Sequence, residues 1–272
     1  MIRIMTLDAA SHAEHSLAQL RTSIEPLRAQ AIDLLCCQSI GHVKDGRSTP
    51  RREASHLLAE TLGLTCSCFA SRRSPAKGKK VGKGLATFTG TGVWVLNSGS
   101  FTIGNAGEDD EEIVQFALIR KNGASVLALN LHLAAAEQVQ KRQLADLFSH
   151  ALLKDPYGAV VLCADRAAPL SSKQWQVLAA RSSYNLQHHL LDSANGCGLL
   201  CLLTARSGAA SAVTVRHPEP QPSGADKHSG ALAGLTLSFD IQRLTADKCY
   251  RLVFPLSFRE QWLGYREHRA FA

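Results

Sequence analysis

The chain has 272 residues, 45% hydrophobic and 19% charged, with a formal net charge of +7. This length and composition suit one large globular domain, or two small ones, with a sizeable core. No apolar run approaches the roughly 18–20 residues of a membrane-spanning helix, and eight cysteines without a Cys-x-x-Cys pair argue against a zinc motif.

The opening residues 2–7 read as a strand. They do not read as an export signal, because no basic segment precedes a long apolar stretch. The expectation is a cytoplasmic protein with reduced thiols. Residues 13–29 read as a helix, with Leu17, Leu20, Ile24 and Leu27 spaced by three and four. A short buried strand follows at 32–37, then a helix over 51–62 stopped by Gly63, then a strand at 64–69. Cys36, Cys37 and Cys163 sit in apolar runs, where cysteine acts as a small hydrophobe. Six of the fourteen residues 71–84 are basic, and Gly, Ser and Pro supply most of the rest. This is a loop able to attract a phosphate-bearing ligand or nucleic acid, or simply a solvated tip.

Strand patterns recur at 84–89, 93–97, 113–119 and 125–132. Lys121-Asn-Gly123 between the last two is a hairpin signal. The acidic stretch 105–112 reads as a solvated loop. A helix over 135–153, a strand at 159–164 and a helix over 171–181 follow. Further strands are expected at 199–203, 213–217 and 231–239, the last preceded by a loop rich in Pro, Gly and Ser over 218–229. In the tail, residues 249–254 read as a strand. Ser257-Phe-Arg-Glu260 is a capping-box pattern opening a helix that puts Phe258, Trp262 and Tyr265 on one face. That face packs on the protein's own body or docks a protein partner. Strands with helices between them, plus an antiparallel hairpin block, predict two facing sheets with helices outside.

Two strand ends carry the chemistry. Val126-Leu-Ala-Leu-Asn-Leu-His-Leu133 delivers Asn130 and His132, and Val160-Val-Leu-Cys-Ala-Asp165 delivers Asp165. A rigid apolar run whose last residues reach solvent is where α/β folds place reacting groups. His228 follows in the loop before the 231–239 strand. A His, an Asp and a second His suggest hydrolytic chemistry.

Seven segments in order make the chain resemble the endonuclease/exonuclease/phosphatase superfamily over about residues 1–240. Met1-Ile-Arg-Ile-Met-Thr-Leu-Asp8 is similar to an opening strand ending in Tyr-Asn. Ala31-Ile-Asp-Leu-Leu-Cys-Cys-Gln-Ser39 is similar to one ending in Gln-Glu, and Lys83-Gly-Leu-Ala-Thr-Phe-Thr89 to Gly-Leu-Ala-Ile-Leu-Ser. Asn130-Leu-His-Leu133 resembles Asn-Thr-His-Leu, and Lys141-Arg-Gln-Leu144 the Arg-x-x-Gln-Leu region. Ala164-Asp-Arg-Ala-Ala-Pro169 stands for Gly-Asp-Phe-Asn-Ala-Pro, and Asp226-Lys-His228 for Ser-Asp-His.

The resemblance implies a four-layer α/β/β/α sandwich of two facing, mixed, mainly antiparallel sheets, with residues 241–272 a strand and amphipathic helix packed on the same domain. It implies a metal-dependent phosphoesterase, with magnesium or manganese as the cofactor. His132, Asp165 and His228 fall on the catalytic positions, and Asn130, His132, Lys227 and His228 on the phosphate. The pattern is broken elsewhere. Ser39 stands where a metal-binding Glu is expected, Asp8 replaces an Asn, Ala167 replaces an Asn, and Lys227 replaces an Asp. A hydroxyl is a weak magnesium ligand, so any metal would fall to Asp8 and Asp165. Three readings follow. The first is a member with lost or much reduced activity and a retained phosphate-attracting cleft. The second is an active phosphodiesterase or phosphatase with a rearranged site. The third is a protein-interaction scaffold.

Overall fold

A computed structural model describes residues 2–9, 21, 24–40, 54–71, 84–104, 111–155, 157–165, 170–191, 199–205, 213–216 and 234–239. The chain divides into a unit Met1–Gln242, which holds all of these, and a second unit Arg243–Ala272. The tail strand and the Phe258, Trp262 and Tyr265 helix therefore lie outside the described residues, as do Lys227 and His228.

The described strands form two six-stranded sheets. The first holds β1 (Ile2–Asp8), β2 (Leu34–Ile40), β3 (Thr65–Ser71), β4 (Gly84–Thr89), β11 (Val213–Arg216) and β12 (Gly234–Phe239), in the order β11-β12-β1-β2-β4-β3. The second holds β5 (Trp94–Ile103), β6 (Glu112–Lys121), β7 (Ala124–Leu131), β8 (Ala159–Ala164), β9 (Tyr184–Leu191) and β10 (Leu199–Ala205), in the order β5-β6-β7-β8-β10-β9. Only β1–β2 and β7–β8 pair in parallel, and the other pairings are antiparallel. The expected mixed, mainly antiparallel architecture is what the chain adopts.

Period-two alternation sends one set of side chains from each strand between the sheets. Ile4 of β1 and Leu34 and Cys36 of β2 meet Ala117, Ile119, Val126, Ala128 and Val161 there, all fully or almost fully buried. Each such Ile, Leu or Val contributes about 1.5–3 kcal/mol through burial. Cys163 lies in the same layer. Burial, with Cys36 beside it, pushes its thiol well above the ordinary range, so it behaves as an inert hydrophobe.

The opposite set from the first sheet, including Met5, Leu35, Cys37 and Phe88, packs on Leu57, Leu58 and Leu62 of α1 (Ala54–Leu62). Outside the second sheet lie α2 (Glu137–Ser149) and α3 (Ser172–Ala179), joined by Phe148 against the edge of Trp175 at 6.3 Å. The result is four layers.

Local signals account for several boundaries. Gly63 at φ +65 ends α1, in the left-handed conformation that glycine adopts without penalty. Asn122 and Gly123, at φ +52 and +81, form the tight β6–β7 turn. Ser171 caps α3 in a capping box with Gln174.

Three expectations change. Of the helix expected over 13–29, Arg21 and Ile24 are helical, Glu25–Gln30 is a 3-10 segment with Pro26 in its first turn, and residues 10–20, 22 and 23 lie outside the description. The helix expected over 135–153 is shorter and breaks at His150, whose extended backbone separates α2 from a 3-10 turn, Ala151–Lys154. The strand expected at 93–97 runs on to Ile103, because Asn97-Ser-Gly-Ser100 pairs with β6 despite its polarity. β9, an edge strand, was not anticipated, since Tyr184-Asn-Leu-Gln-His-His-Leu-Leu191 alternates poorly and its ladder with β10 carries a bulge.

Candidate functional site

Toward one end of the intersheet layer the in-facing residues turn from apolar to polar. β1 passes from Ile4 to Thr6 and then Asp8, β2 from Cys36 to Gln38, and β7 from Ala128 to Asn130. Gln115 on β6 and Thr87 on β4 join them. Gln38 and Gln115 are 0% exposed, and Asn130 and Thr87 are 1% exposed. Polar groups buried this deeply require partners, and these have them.

The Gln38 amide donates to Asn130 Oδ1 at 2.8 Å and to Thr6 Oγ1 at 2.9 Å. The Thr6 hydroxyl donates back to Gln38 Oε1 at 3.2 Å. Asn130 Nδ2 donates to the carbonyls of Cys37 and Ala86, both at 3.1 Å, and to Gln115 Oε1 at 3.2 Å. Gln115 Oε1 also accepts from Thr87 Oγ1, and Gln115 Nε2 donates to the Leu85 carbonyl. Three amides and two hydroxyls thus bolt β1, β2 and β4 to β6 and β7 without a charge.

The rim of this cluster carries the predicted catalytic pair. His132 follows β7, and Asp165 follows β8, its parallel neighbour. His132 Nδ1 lies 3.0 Å from Asp165 Oδ2. Asp165 Oδ1 accepts the Leu133 backbone N–H at 3.0 Å. On the other side of the ring, Nε2 accepts the backbone N–H of Ser39 at 3.2 Å. Ser39 adopts φ +55 within a bulge that shifts the β2–β4 register between Cys37 and Ile40. The bulge aims the Ser39 N–H across the sheets and returns Ile40 to the apolar layer beneath α1. These two bonds set the histidine tautomer: Nδ1 carries the proton, and the Nε2 lone pair is used by Ser39. Beyond Leu133, the loop entering α2 is held by Gln143 and Gln140, which bond the Ala134 N–H and carbonyl respectively.

The structure brings Asn130, His132 and Asp165, the residues singled out in the sequence, together at one pole. Asn130 is turned fully inward. Asp8 ends β1 directly beside Gln38 in parallel register and is half-buried. Lys227 and His228 lie outside the described residues, as does Ala167. Sequence reasoning passed over Thr6, Thr87 and the linking role of Gln38 and Gln115. The signal for Thr6, Gln38 and Gln115 was a polar residue two places from an in-facing apolar one.

A divalent cation of the hard kind needs several uncommitted oxygens, usually carboxylate-rich. Here the side-chain oxygens of Gln38, Gln115 and Asn130 each accept a protein hydrogen bond, and so do both oxygens of Asp165. Among the described residues no three His, Cys, Asp or Glu side chains converge as a metal site. Among the described residues, the carboxylates this pole could offer a magnesium or manganese ion are those of Asp8 and Asp165.

No protein-family model matches the chain, and no curated protein matches it in sequence. Solved structures do. The catalytic domain of human Nocturnin with a bound sulfate anion superposes with a TM-score of 0.62 at 17% identity, over 88% of this chain and 93% of that one. D. rerio TDP2 complexed with a single-strand DNA product gives 0.59 at 12% identity, over 88% and 98%. An endonuclease/exonuclease/phosphatase family protein from Leptotrichia buccalis gives 0.57 at 11%, over 88% and 100%. The chain has the endonuclease/exonuclease/phosphatase fold, as the seven motifs implied.

Proposed function

We propose that this chain binds a phosphate-bearing ligand, single-stranded nucleic acid being the first candidate, and does not hydrolyse it at an appreciable rate. The observation that carries this reading is the closed state of the His132–Asp165 pair. Both ring nitrogens of His132 are engaged, by Asp165 and by the Ser39 N–H. Such a ring offers no N–H to a phosphate oxygen. Asp165 accepts from His132 and Leu133, so each of its oxygens keeps a single further acceptor site for an attacking water. The side chain beside them at position 39 is a hydroxyl.

Attraction of an anion rests on charge that remains. The net charge is +7, the 71–84 segment carries six basic residues, and Lys227 stands beside His228. The fold neighbours support the ligand class: one was solved with sulfate and another with a single-strand DNA product.

The test pairs turnover with binding. Hydrolysis of bis(p-nitrophenyl) phosphate and p-nitrophenyl phosphate is measured with millimolar magnesium or manganese. Anisotropy of a labelled single-stranded oligonucleotide is followed at rising salt. The expected result is salt-sensitive binding without metal-dependent turnover. Turnover that vanishes in both His132→Ala and Asp165→Ala overturns the reading. It would favour the rival active site, for which the carboxylate of Asp8 beside Gln38 is the supporting observation.

A further inference from the structure

The tip of the β6–β7 hairpin combines three conditions that favour a reaction of the backbone with its own side chain. The first is composition. Asn122 is followed by Gly123, so no Cβ shields the peptide nitrogen that follows the asparagine. The second is exposure. Both residues are exposed, and a Cβ added at Gly123 would meet nothing within 4 Å. The third is position. The ladder closes at the Lys121–Ala124 pair, and the two turn residues lie beyond it. Opening the turn disturbs only the end of a ladder, where local unfolding costs least. The other described asparagines lack these conditions. Asn97 and Asn185 are paired within ladders, Asn130 is 1% exposed, and none of the three is followed by glycine.

We propose that Asn122 is a site of spontaneous covalent modification, in which the Gly123 peptide nitrogen attacks the Asn122 side-chain carbonyl. A bond forms from Gly123 N to Asn122 Cγ, and the bond from Cγ to Nδ2 breaks. Nδ2 leaves as ammonia and takes the proton lost by Gly123 N. A cyclic imide remains. Water, the second reactant, then opens the ring at either carbonyl. Opening at Cγ gives aspartate at position 122. Opening at the backbone carbonyl gives isoaspartate, whose main chain runs through the former side chain and is one carbon longer. Nothing is oxidised or reduced.

The surroundings of the turn give this reaction a consequence. A two-residue turn of this type needs positive φ at both positions, here +52 and +81. An extra main-chain carbon does not fit it, so the isoaspartate product breaks the closure at Lys121 and Ala124. The new carboxylate also stands one residue from Lys121, whose Nζ lies 2.5 Å from Asp33 Oδ1. It competes with Asp33 for that ammonium. A reaction at the hairpin tip thus weakens the ion pair between the sheets at this pole.

The full-length chain is kept folded at physiological temperature and mildly alkaline pH and sampled by peptide mapping with mass spectrometry. A synthetic peptide spanning residues 118–127 is treated in parallel. Asn122 should lose its amide in both, more slowly in the folded chain, and the product should accept a methyl group from a protein isoaspartate methyltransferase. Aged protein should unfold at a lower urea concentration than fresh protein. Asn122→Gly keeps a sequence suited to positive φ and should show neither change. Asn122→Ser, which also lacks the amide, serves if the first variant alters the hairpin. An intact Asn122 in the folded chain, once the peptide has reacted fully, overturns the proposal by showing that the turn shields it. Amide loss with an unchanged urea midpoint overturns the link to Lys121 and Asp33. Neither residue of the turn belongs to the His132–Asp165 pole, so failure here leaves the proposed function standing.

Discussion

Where β1, β2 and β7 begin, the two sheets are held together by charge; where the same strands finish, they are held by neutral amides. At the first pole, Asp33 accepts from Lys121 Nζ at 2.5 Å and from the Arg3 N–H at 2.9 Å. The Asp33 carbonyl accepts the Gly90 N–H at 2.9 Å. At the second pole, Gln38, Asn130 and Gln115 do the joining, with His132 bridging Ser39 and Asp165 at the rim. The ion pair sits at the solvent border, the Lys121 side chain being 21% exposed, where desolvation of the charges is incomplete. The amides are essentially sealed, and a neutral network carries no charge-desolvation cost there. The difference teaches that beneath the His132–Asp165 rim, which is as exposed as the Lys121–Asp33 pair, the second pole is an interior tie of neutral amides.

The largest effect is expected at the sealed pole. Asn130→Asp keeps the shape but turns a donor to two carbonyls and an amide into a buried carboxylate. It should cost about 3 kcal/mol or more in urea unfolding. A loss under 1 kcal/mol would show that water reaches the cluster, erasing the contrast between the poles. Next, Lys121→Met leaves the Asp33 carboxylate with the Arg3 N–H. It should cost about 2 kcal/mol, less than a fully buried broken pair because Lys121 is partly solvated. Adding Asp33→Asn should restore part of that loss. A double variant no better than the single would mean that the ion pair is not the tie.

A smaller change with opposite sign is expected at the bulge. Ser39→Gly relieves a left-handed backbone and should stabilise by about 0.5 kcal/mol, while its N–H remains available to His132. A destabilised protein would instead assign the buried hydroxyl a structural part. The smallest effect concerns pH. Burial lowers the pKa of His150, which stacks on Phe101 at 3.9 Å and caps Leu152 through Nδ1. The unfolded chain therefore binds more protons below the usual histidine range, and stability present above it falls as pH drops through it. Thermal unfolding from neutral to mildly acidic pH should show this component, and His150→Asn, which keeps a capping acceptor, should remove it.

Much of the candidate site was legible in the chain itself. The apolar runs ending in Asn130, His132 and Asp165 announce strand ends, and Asn122-Gly123 and Gly63 announce the turn and the helix stop that lead toward them. The hidden parts have a common cause. The Ser39 N–H reaches His132 over 93 positions, and Gln38 reaches Asn130 over 92. No local period encodes a contact at that range. β9 and the second half of β5 were missed because an edge strand needs only one face buried, so its residues need not alternate cleanly.

By itself, then, the sequence determined the layered α/β plan and the presence of an Asn, a His and an Asp at parallel strand ends. Those follow from alternation and from where each apolar run stops. Only the tertiary structure decided what these residues do to one another. Facing the two sheets in register, with one bulge at Ser39, gives each His132 nitrogen and each Asp165 oxygen a partner within the protein. That hydrogen-bond pattern spans strands far apart in the chain, and no local period encodes it.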